Sequence, residues 1–350
     1  MKIKELRKLT ISKRLNILIG SGCSLPAIPL MNNYQDKISD IEEANDALES
    51  KIKQVSKVLT DSNFEKIKRN KSIYTTLHVY ILFVQKIIDI LNLSNARDTP
   101  RRANIFTTNY DLFLEKAFDQ VSQDSRFIIN DGAKGYFNRV LESSNFDQIV
   151  SYKGLNDNFI SEIPSISLIK PHGSVNWKRD IKNDLVYIRD EVVSNPLIVK
   201  PTHLESHATF NQNHFFSMLR FFTNELDKSQ SVLLVVGFSF QDIHIAKMVR
   251  RAVANPELMI LCFCYTNDDV KTILSNLDFD LKESIPKNIN FFVPEENSDD
   301  KGKKENNENN EYKDLKLELH NKHVLKSCNE ITLKEVVEFL NGIFDEEDNE

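Results

Sequence analysis

The chain has 350 residues, of which 41% are hydrophobic and 27% charged, with a formal net charge of −6. That length can bury a large core and fits one or two domains, while the mild acidity excludes a globally basic nucleic-acid binder. Four scattered cysteines (Cys23, Cys262, Cys264, Cys328) contain no CxxC pair, which argues against a structural zinc site or a disulfide framework and fits a reducing cytoplasm.

The N-terminus, MKIKELRKLTISKRLN, is charged and has no apolar stretch of signal-peptide length. Residues 15–19 form a short apolar run that stops at Gly20-Ser21-Gly22, the pattern of a buried strand. Ile41, Ala44, Leu48, Ile52, Val55 and Leu59 then recur at helical spacing, and Leu77, Ile81, Val84, Ile88 and Leu91 repeat the pattern. The second helix is the more apolar, but Gln85 and Lys86 interrupt its run 79–84 well short of a membrane span. Between the two, Lys66, Lys68, Arg69 and Lys71 mark a solvated face.

A second strand is predicted at 104–106, followed by a helix over 111–120. Signals from 127 to 170 are weaker: an apolar element at 127–129, loops, then a strand at 166–169. A short apolar piece at 196–199 and a helix over 214–226 precede the clearest strand, 231–236, which ends in Gly237. A helix over 242–252, a strand at 258–263, a helix near 267–277 and an apolar run at 289–292 follow. Residues 295–312 are charged, Asn-rich and nearly devoid of apolar side chains, the composition of a disordered linker. Thr332 and Glu335 have capping-box spacing and open a last amphipathic helix through Phe344. Unalternated apolar strands separated by helices imply an α/β fold whose parallel sheet is covered on both faces.

In such a sheet ligands bind where the strands' carboxyl ends open into loops, and the polar outliers of this sequence sit there. Gly20–Ser24 follows the first strand, Thr107–Asp111 the second, Pro171-His172-Gly173-Ser174 the third, and Gly237–Asp242 the fourth. Gly20 and Gly22 would let the backbone approach a phosphate, although a plain tight turn has the same pattern and the third glycine of a dinucleotide fingerprint is missing. Asp111 and its threonine neighbours fit a helix cap as well as a pocket wall. Cys23 reads as a packing residue. His172 stands out among eight histidines because it lies between Pro171 and Gly173 just past a strand, whereas His244 falls inside a helix. His203 and His207 flank Glu205, but no third metal ligand is evident.

Taken in order, GSGCS (20–24), TTNYD (107–111), KPHGSVNW (170–177) and GFSFQD (237–242) resemble the motifs of the sirtuin superfamily. The resemblance is to the bacterial sirtuin-like domains that hydrolyse NAD in antiphage defence, and it spans about residues 15–265. It implies a Rossmann-like parallel sheet flanked by helices. Position by position it implies a phosphate-binding turn at Gly20, Ser21, Gly22 and Ser24. Asn109 would hold the nicotinamide ribose and the attacking water, with Thr108 and Asp111 supporting ribose or loop geometry. His172 would be the general base, Gly237 and Ser239 would line the adenosine end, and Asp242 would anchor that loop or cap its helix.

Three features depart from the family. No cysteine pair has zinc-ribbon spacing, so no metal is expected, and a helical insertion at about 33–95 separates the first two motifs. The segment after the glycine turn is Pro29-Leu30-Met31-Asn32, so the family's contacts there are not carried over. The implied organisation is a catalytic domain over 1–294, a linker over 295–312 and a C-terminal element over 313–350. The implied activity is NAD hydrolysis to ADP-ribose and nicotinamide by a cytoplasmic protein without membrane or sequence-specific nucleic-acid contacts. Since constant NAD loss is toxic, a homo-oligomer or a HerA-type hexameric ATPase partner is expected to control it. A non-catalytic NAD- or ADP-ribose-sensing subunit stays open as the alternative, and a protein deacylase as a less favoured one.

Overall fold

The computed structural model describes residues 2–61, 63–93, 101–148, 150–153, 160–200, 213–279, 285–295 and 321–345. The fold follows from strands that are apolar on both sides. β1 (Arg14–Ile19) sends Leu15, Ile17 and Ile19 into one hydrophobic cluster and Leu18 into another. β2 (Arg102–Thr107) divides in the same way, with Ala103 and Ile105 on one side and Phe106 on the other. β11 (Ser231–Val236) does so again, Val232, Leu234 and Val236 opposing Leu233 and Val235. Such strands are stable only inside a sheet with cover on both faces.

With β3 (Ile128–Asn130), β8 (Ser165–Ile169), β12 (Leu258–Phe263), β13 (Ile289–Pro294) and β14 (Lys322–Leu325), they form an eight-stranded sheet. Its order is β14-β13-β12-β11-β1-β2-β8-β3, and every pairing is parallel. The chain winds from β1 towards β2 and β8, then returns to build β11 to β14 on β1's other side. Winding therefore reverses between β1 and β11, and the crevice above that point is where open α/β sheets take ligands. A polar row crosses the middle of the sheet in register, and Asn104 Nδ2 donates to Asn16 Oδ1 at 2.8 Å.

α1 (Ile3–Ser12), α3 (Ile41–Thr60), α5 (Lys71–Leu93), α6 (Phe113–Val121) and α10 (Leu333–Asn341) cover one face. α7 (Asn213–Asp227), α8 (Ile243–Ala252) and α9 (Asp269–Asn276) cover the other. α2 (Met31–Gln35) and α4 (Phe64–Arg69) complete a helical segment that separates β1 from β2. Among the described helices, α5 is long and apolar enough to cross a membrane by length and composition, but half of that stretch is buried. It packs against α6 and α10 as a core helix does.

Several elements depart from the sequence reading. The last helix stops at Asn341 rather than Phe344, because Gly342 adopts a left-handed φ of 84° and ends it. Its start is as expected, with Thr332 Oγ1 accepting from Lys334 N. A small antiparallel sheet begins within the 127–170 stretch, whose sequence signals are weak, and is completed by strands at 177–180 and 185–188, where the sequence predicts none. It is built from β4 (Ala133–Lys134), β5 (Val140–Leu141), β9 (Trp177–Asp180) and β10 (Leu185–Ile188). A two-stranded pair, β6 (Ser151–Lys153) and β7 (Ile160–Glu162), lies apart from it. Apart from Glu295, the linker at 295–312 lies outside the described residues.

At the opposite end of β2 from the loops, Arg102 Nη2 lies 3.0 Å from Glu225 Oε1 of α7, with both side chains buried. Lys228 Nζ also reaches that oxygen, at 2.6 Å. Arg102→Met removes the buried partner and leaves Glu225 with Lys228 alone. The substitution is predicted to lower unfolding free energy by about 3 kcal/mol, read from the denaturant midpoint at unchanged m. A loss below about 1 kcal/mol would contradict a buried pair of this kind.

Candidate functional site

β11, β1, β2 and β8 are neighbours, and the four loops that leave their carboxyl ends touch one another in turn. Between β11 and β1 the contact is backbone on backbone. Gly20 N donates to Val236 O at 3.0 Å and Gly22 N to Gly237 O at 3.1 Å. A Cβ on Gly20 would sit 2.2 Å from Gly237 O, and Gly237 holds φ +61 with Cys23 N only 2.7 Å from its own Cβ position. Side chains are excluded from both positions. The Gly22 N–H of the turn expected to approach a phosphate is engaged with the neighbouring loop.

From β2, Asn109 N donates to Thr107 Oγ1 at 3.1 Å, which bends the chain at the strand end. Its Nδ2 donates to Gly20 O at 3.0 Å and Ser24 Oγ at 3.3 Å. A backbone carbonyl only accepts, so the atom facing it must be the amide nitrogen. The amide is thereby oriented, and Asn109 Oδ1 takes part in neither bond. Ser24 Oγ donates to Asp111 Oδ2 at 2.7 Å, and Asp111 Oδ1 accepts from Phe113 N at 3.2 Å where α6 begins. Asp111 therefore opens the helix and ties the β2 loop to the β1 loop. Burial pushes its carboxyl above the usual range, against the opposing pull of Lys170 and of its two hydrogen bonds.

The β8 loop closes the circuit. Lys170 is buried, and its Nζ donates to Asp111 O at 2.6 Å, Glu115 Oε1 at 2.8 Å and Ser174 Oγ at 3.0 Å. Two residues on, His172 Nε2 lies 2.8 Å from Asp242 Oδ2. Asp242 belongs to the β11 loop, so this bridge spans the ends of the two intervening strands. The carboxylate's other oxygen caps α8, accepting from His244 N at 2.8 Å and Ile245 N at 3.1 Å. Burial raises the Asp242 carboxyl, but the hydrogen bond and charge of His172 and the two helix amides outweigh it and hold the group below its usual range. The same loop carries Phe240 at φ +60, buried and edge-on to Phe238, a strained conformation of the sort that collects at functional sites.

Of the residues singled out from sequence, Gly20, Gly22, Ser24, Asn109, Asp111, His172, Gly237 and Asp242 come together here. Ser21 is exposed, and Thr108 and Ser239 are half-buried beside the ring; Ser239 O accepts from Asn276 Nδ2 at 2.7 Å. Cys23 is buried, and desolvation followed by the Asp111 charge pushes its thiol up, as suits a packing residue. Sequence reasoning missed Tyr80, whose hydroxyl lies 3.3 Å from Ser24 Oγ and whose ring stacks on Phe113. Nothing distinguishes it from the other apolar positions of α5. Lys170 was legible in principle, as a lysine directly after an apolar run. His203, Glu205 and His207 lie outside the described residues. Among the described residues no three His, Cys, Asp or Glu side chains gather as a metal would require.

The helical segment reaches this region. Lys200 Nζ pairs with Asp46 Oδ1 at 2.7 Å and Glu49 Oε2 at 2.9 Å on α3, and Lys53 Nζ donates to Ser194 O at 2.7 Å. The strand-like segment they hold lies along the β8 loop, with Val199 N donating to His172 O at 2.8 Å. Beyond Lys170 lies a cavity of about 410 Å³ lined by Leu112, Glu115, Asn176, Trp177 and Arg189, among others. Neither Asn109 nor His172 lines it.

A sequence-family model described as a SIR2-like domain matches residues 103–278, from the start of β2 to just past α9. The span includes Asn109, Asp111, His172, Gly237 and Asp242, and excludes the Gly20–Ser24 turn. No curated protein matches the chain.

Two outcomes are predicted. Gly20→Ala forces a methyl into the Gly237 carbonyl and should cost about 2 kcal/mol of stability; a urea midpoint equal to wild type would contradict the close approach. The depressed Asp242 carboxyl adds stability that is present above the ordinary carboxylate range and is lost as pH falls through the depressed value. The acid limb of a stability–pH curve should accordingly be shallower for Asp242→Asn than for wild type, whereas parallel limbs would show that the pair is not formed.

Proposed function

The chain belongs to the SIR2-like domain family, and on that premise we propose that it is an NAD hydrolase, releasing nicotinamide and ADP-ribose. Family membership implies a protein that acts on NAD. The observation that carries the finer reading is the oriented Asn109 amide, in one ring of contacts with a histidine backed by a carboxylate, at the sheet's reversal point. Such a crevice suits a dinucleotide.

The chemistry asks for little acid catalysis. The bond between nicotinamide N1 and ribose C1′ breaks with its electron pair going to nicotinamide, which leaves as a neutral molecule. The cationic ribose must be oriented and shielded until one water attacks C1′. In this reading Asn109 Oδ1 accepts a hydrogen bond from that water or from a ribose hydroxyl, and His172 takes the proton lost as the new C–O bond forms. The proton then passes to solvent, so NAD and water yield ADP-ribose, nicotinamide and one proton. Gly20, Ser21, Gly22 and Ser24 are assigned to the diphosphate side, Thr108 and Asp111 to the ribose wall, and Gly237 and Ser239 to the adenosine end.

An activity of this kind needs restraint. A role in antiphage defence, with control by self-assembly or by a HerA-type hexameric ATPase, is part of the proposal and rests on the family analogy. Light scattering on the full chain, with and without the product of a neighbouring ATPase gene, tests it; a monomer under both conditions would contradict it.

For the chemistry, the assembled protein is expected to convert NAD to equal amounts of nicotinamide and ADP-ribose. Asn109→Ala and His172→Ala should each lower release by about 10²-fold or more, with circular dichroism unchanged. Full activity in both variants would overturn the assignment, as would tight NAD binding without any turnover, which would favour a sensing subunit instead.

A further inference from the structure

We propose that Asp242 is a positioning residue that keeps the proton of neutral His172 on Nε2, so that Nδ1 is the nitrogen that accepts a proton in the crevice. The inference rests on the proposed NAD-hydrolase reading only for its catalytic consequence; the placement of the proton rests on the short contact between the two side chains and the chemistry of the atoms that meet there.

His172 Nε2 and Asp242 Oδ2 are 2.8 Å apart, and both side chains are nearly buried. An ionised carboxylate has lone pairs and no proton to give, so the nitrogen facing it must be the donor. Neutral imidazole carries one N–H. Placing it on Nε2 leaves Nδ1 with the free lone pair. The carboxylate is itself held in place from behind. Its Oδ1 accepts two backbone amides at the first turn of α8, and the positive end of that helix favours the ionised form. The histidine is held from the other side. His172 O accepts from Val199 N at 2.8 Å. The next residue, Gly173, sits at φ +83 with its Cβ position 2.0 Å from Leu197 O. Each side of the bridge is thus held within its own loop.

Two consequences follow for the reaction. When Nδ1 takes the proton from the attacking water, the ring becomes an imidazolium whose charge faces Asp242, and the carboxylate stabilises it without itself being protonated. Second, Asp242 has a role distinct from cofactor contact. Its Oδ1 caps the helix and its Oδ2 faces His172, which agrees with the loop-anchoring or capping role expected from the sequence.

Asp242→Asn separates the two tasks, since asparagine caps a helix about as well as aspartate but its amide can face Nε2 with either an acceptor or a donor. The experiment uses full-length protein labelled with ¹⁵N-histidine, with the His172 signals identified by their loss in His172→Ala. In the neutral form, wild type is expected to show a protonated Nε2 and an unprotonated Nδ1. In Asp242→Asn the two nitrogens should shift towards each other as the tautomers mix. A proton on Nδ1 in wild type, or identical spectra for the two proteins, would overturn the proposal whether or not the protein cleaves NAD.

The kinetic arm uses the assembled protein. Asp242→Asn should lower kcat by about 10²-fold while KM stays within about threefold. An unchanged kcat would overturn the positioning role. So would a raised kcat, which would mean that the bridge obstructs NAD. If wild type releases no nicotinamide, the hydrolase reading fails on that result alone, and the spectra still decide where the proton sits.

Discussion

Gly20 and Gly237 meet with no side chain between them, and the arrangement of the crevice depends on that approach. Each follows a central strand of the sheet, and they stand on either side of the point where the winding reverses. Because the space for a Cβ on Gly20 is already filled by Gly237 O, the two loops close against each other. Ser24 is thereby directed towards the β2 loop, and Asp242 towards the β8 loop. The sheet supplies a common edge, the glycines let the loops converge on it, and the polar residues beyond the glycines find one another.

What converges is a set of mutually restricting hydrogen bonds. Gly20 O fixes which end of the Asn109 amide faces it, Ser24 joins that amide to Asp111, and Lys170 ties the β2 loop to the β8 loop with all three of its N–H groups engaged. Networks of this kind are costly when any member is missing, because each remaining group is left buried without a partner. Ionisable groups respond in opposite ways within them: burial prevails at Asp111, while at Asp242 burial is outweighed by His172 and two helix amides acting together. Groups held in fixed orientations are what the proposed chemistry requires. The price is restricted access, and the clasp between Lys200 and α3 adds to it by tying the helical segment to the backbone that lies against His172.

Much of this was legible in the sequence, for a definite reason. A strand buried on both faces must be a continuous apolar run, so β1, β2, β8, β11 and β12 could be read without an alignment, and with them the positions of the four loops. Helix caps were legible too, since Asp242 and Thr332 precede apolar periodicity. Contacts between loops were not. That Asp242 reaches His172, or that Tyr80 of α5 lies against Ser24, depends on distances set by the sheet, and nothing near either residue in the chain announces it. β14 was missed because four residues at a sheet edge, with His323 and Lys322 among them, carry no run to detect. The antiparallel strands between 133 and 188 were missed for the same reason, each being two to four residues long.

NAD is proposed to bind and react in the crevice above β1 and β2. A crystal structure of full-length Asn109→Ala with NAD tests it most directly, since a slowed variant can retain the intact substrate. The diphosphate is expected beside the Gly20–Ser24 turn, with the nicotinamide ribose between the β2 loop and His172. NAD bound instead in the cavity beyond Lys170, among Trp177, Asn176 and Arg189, would contradict it.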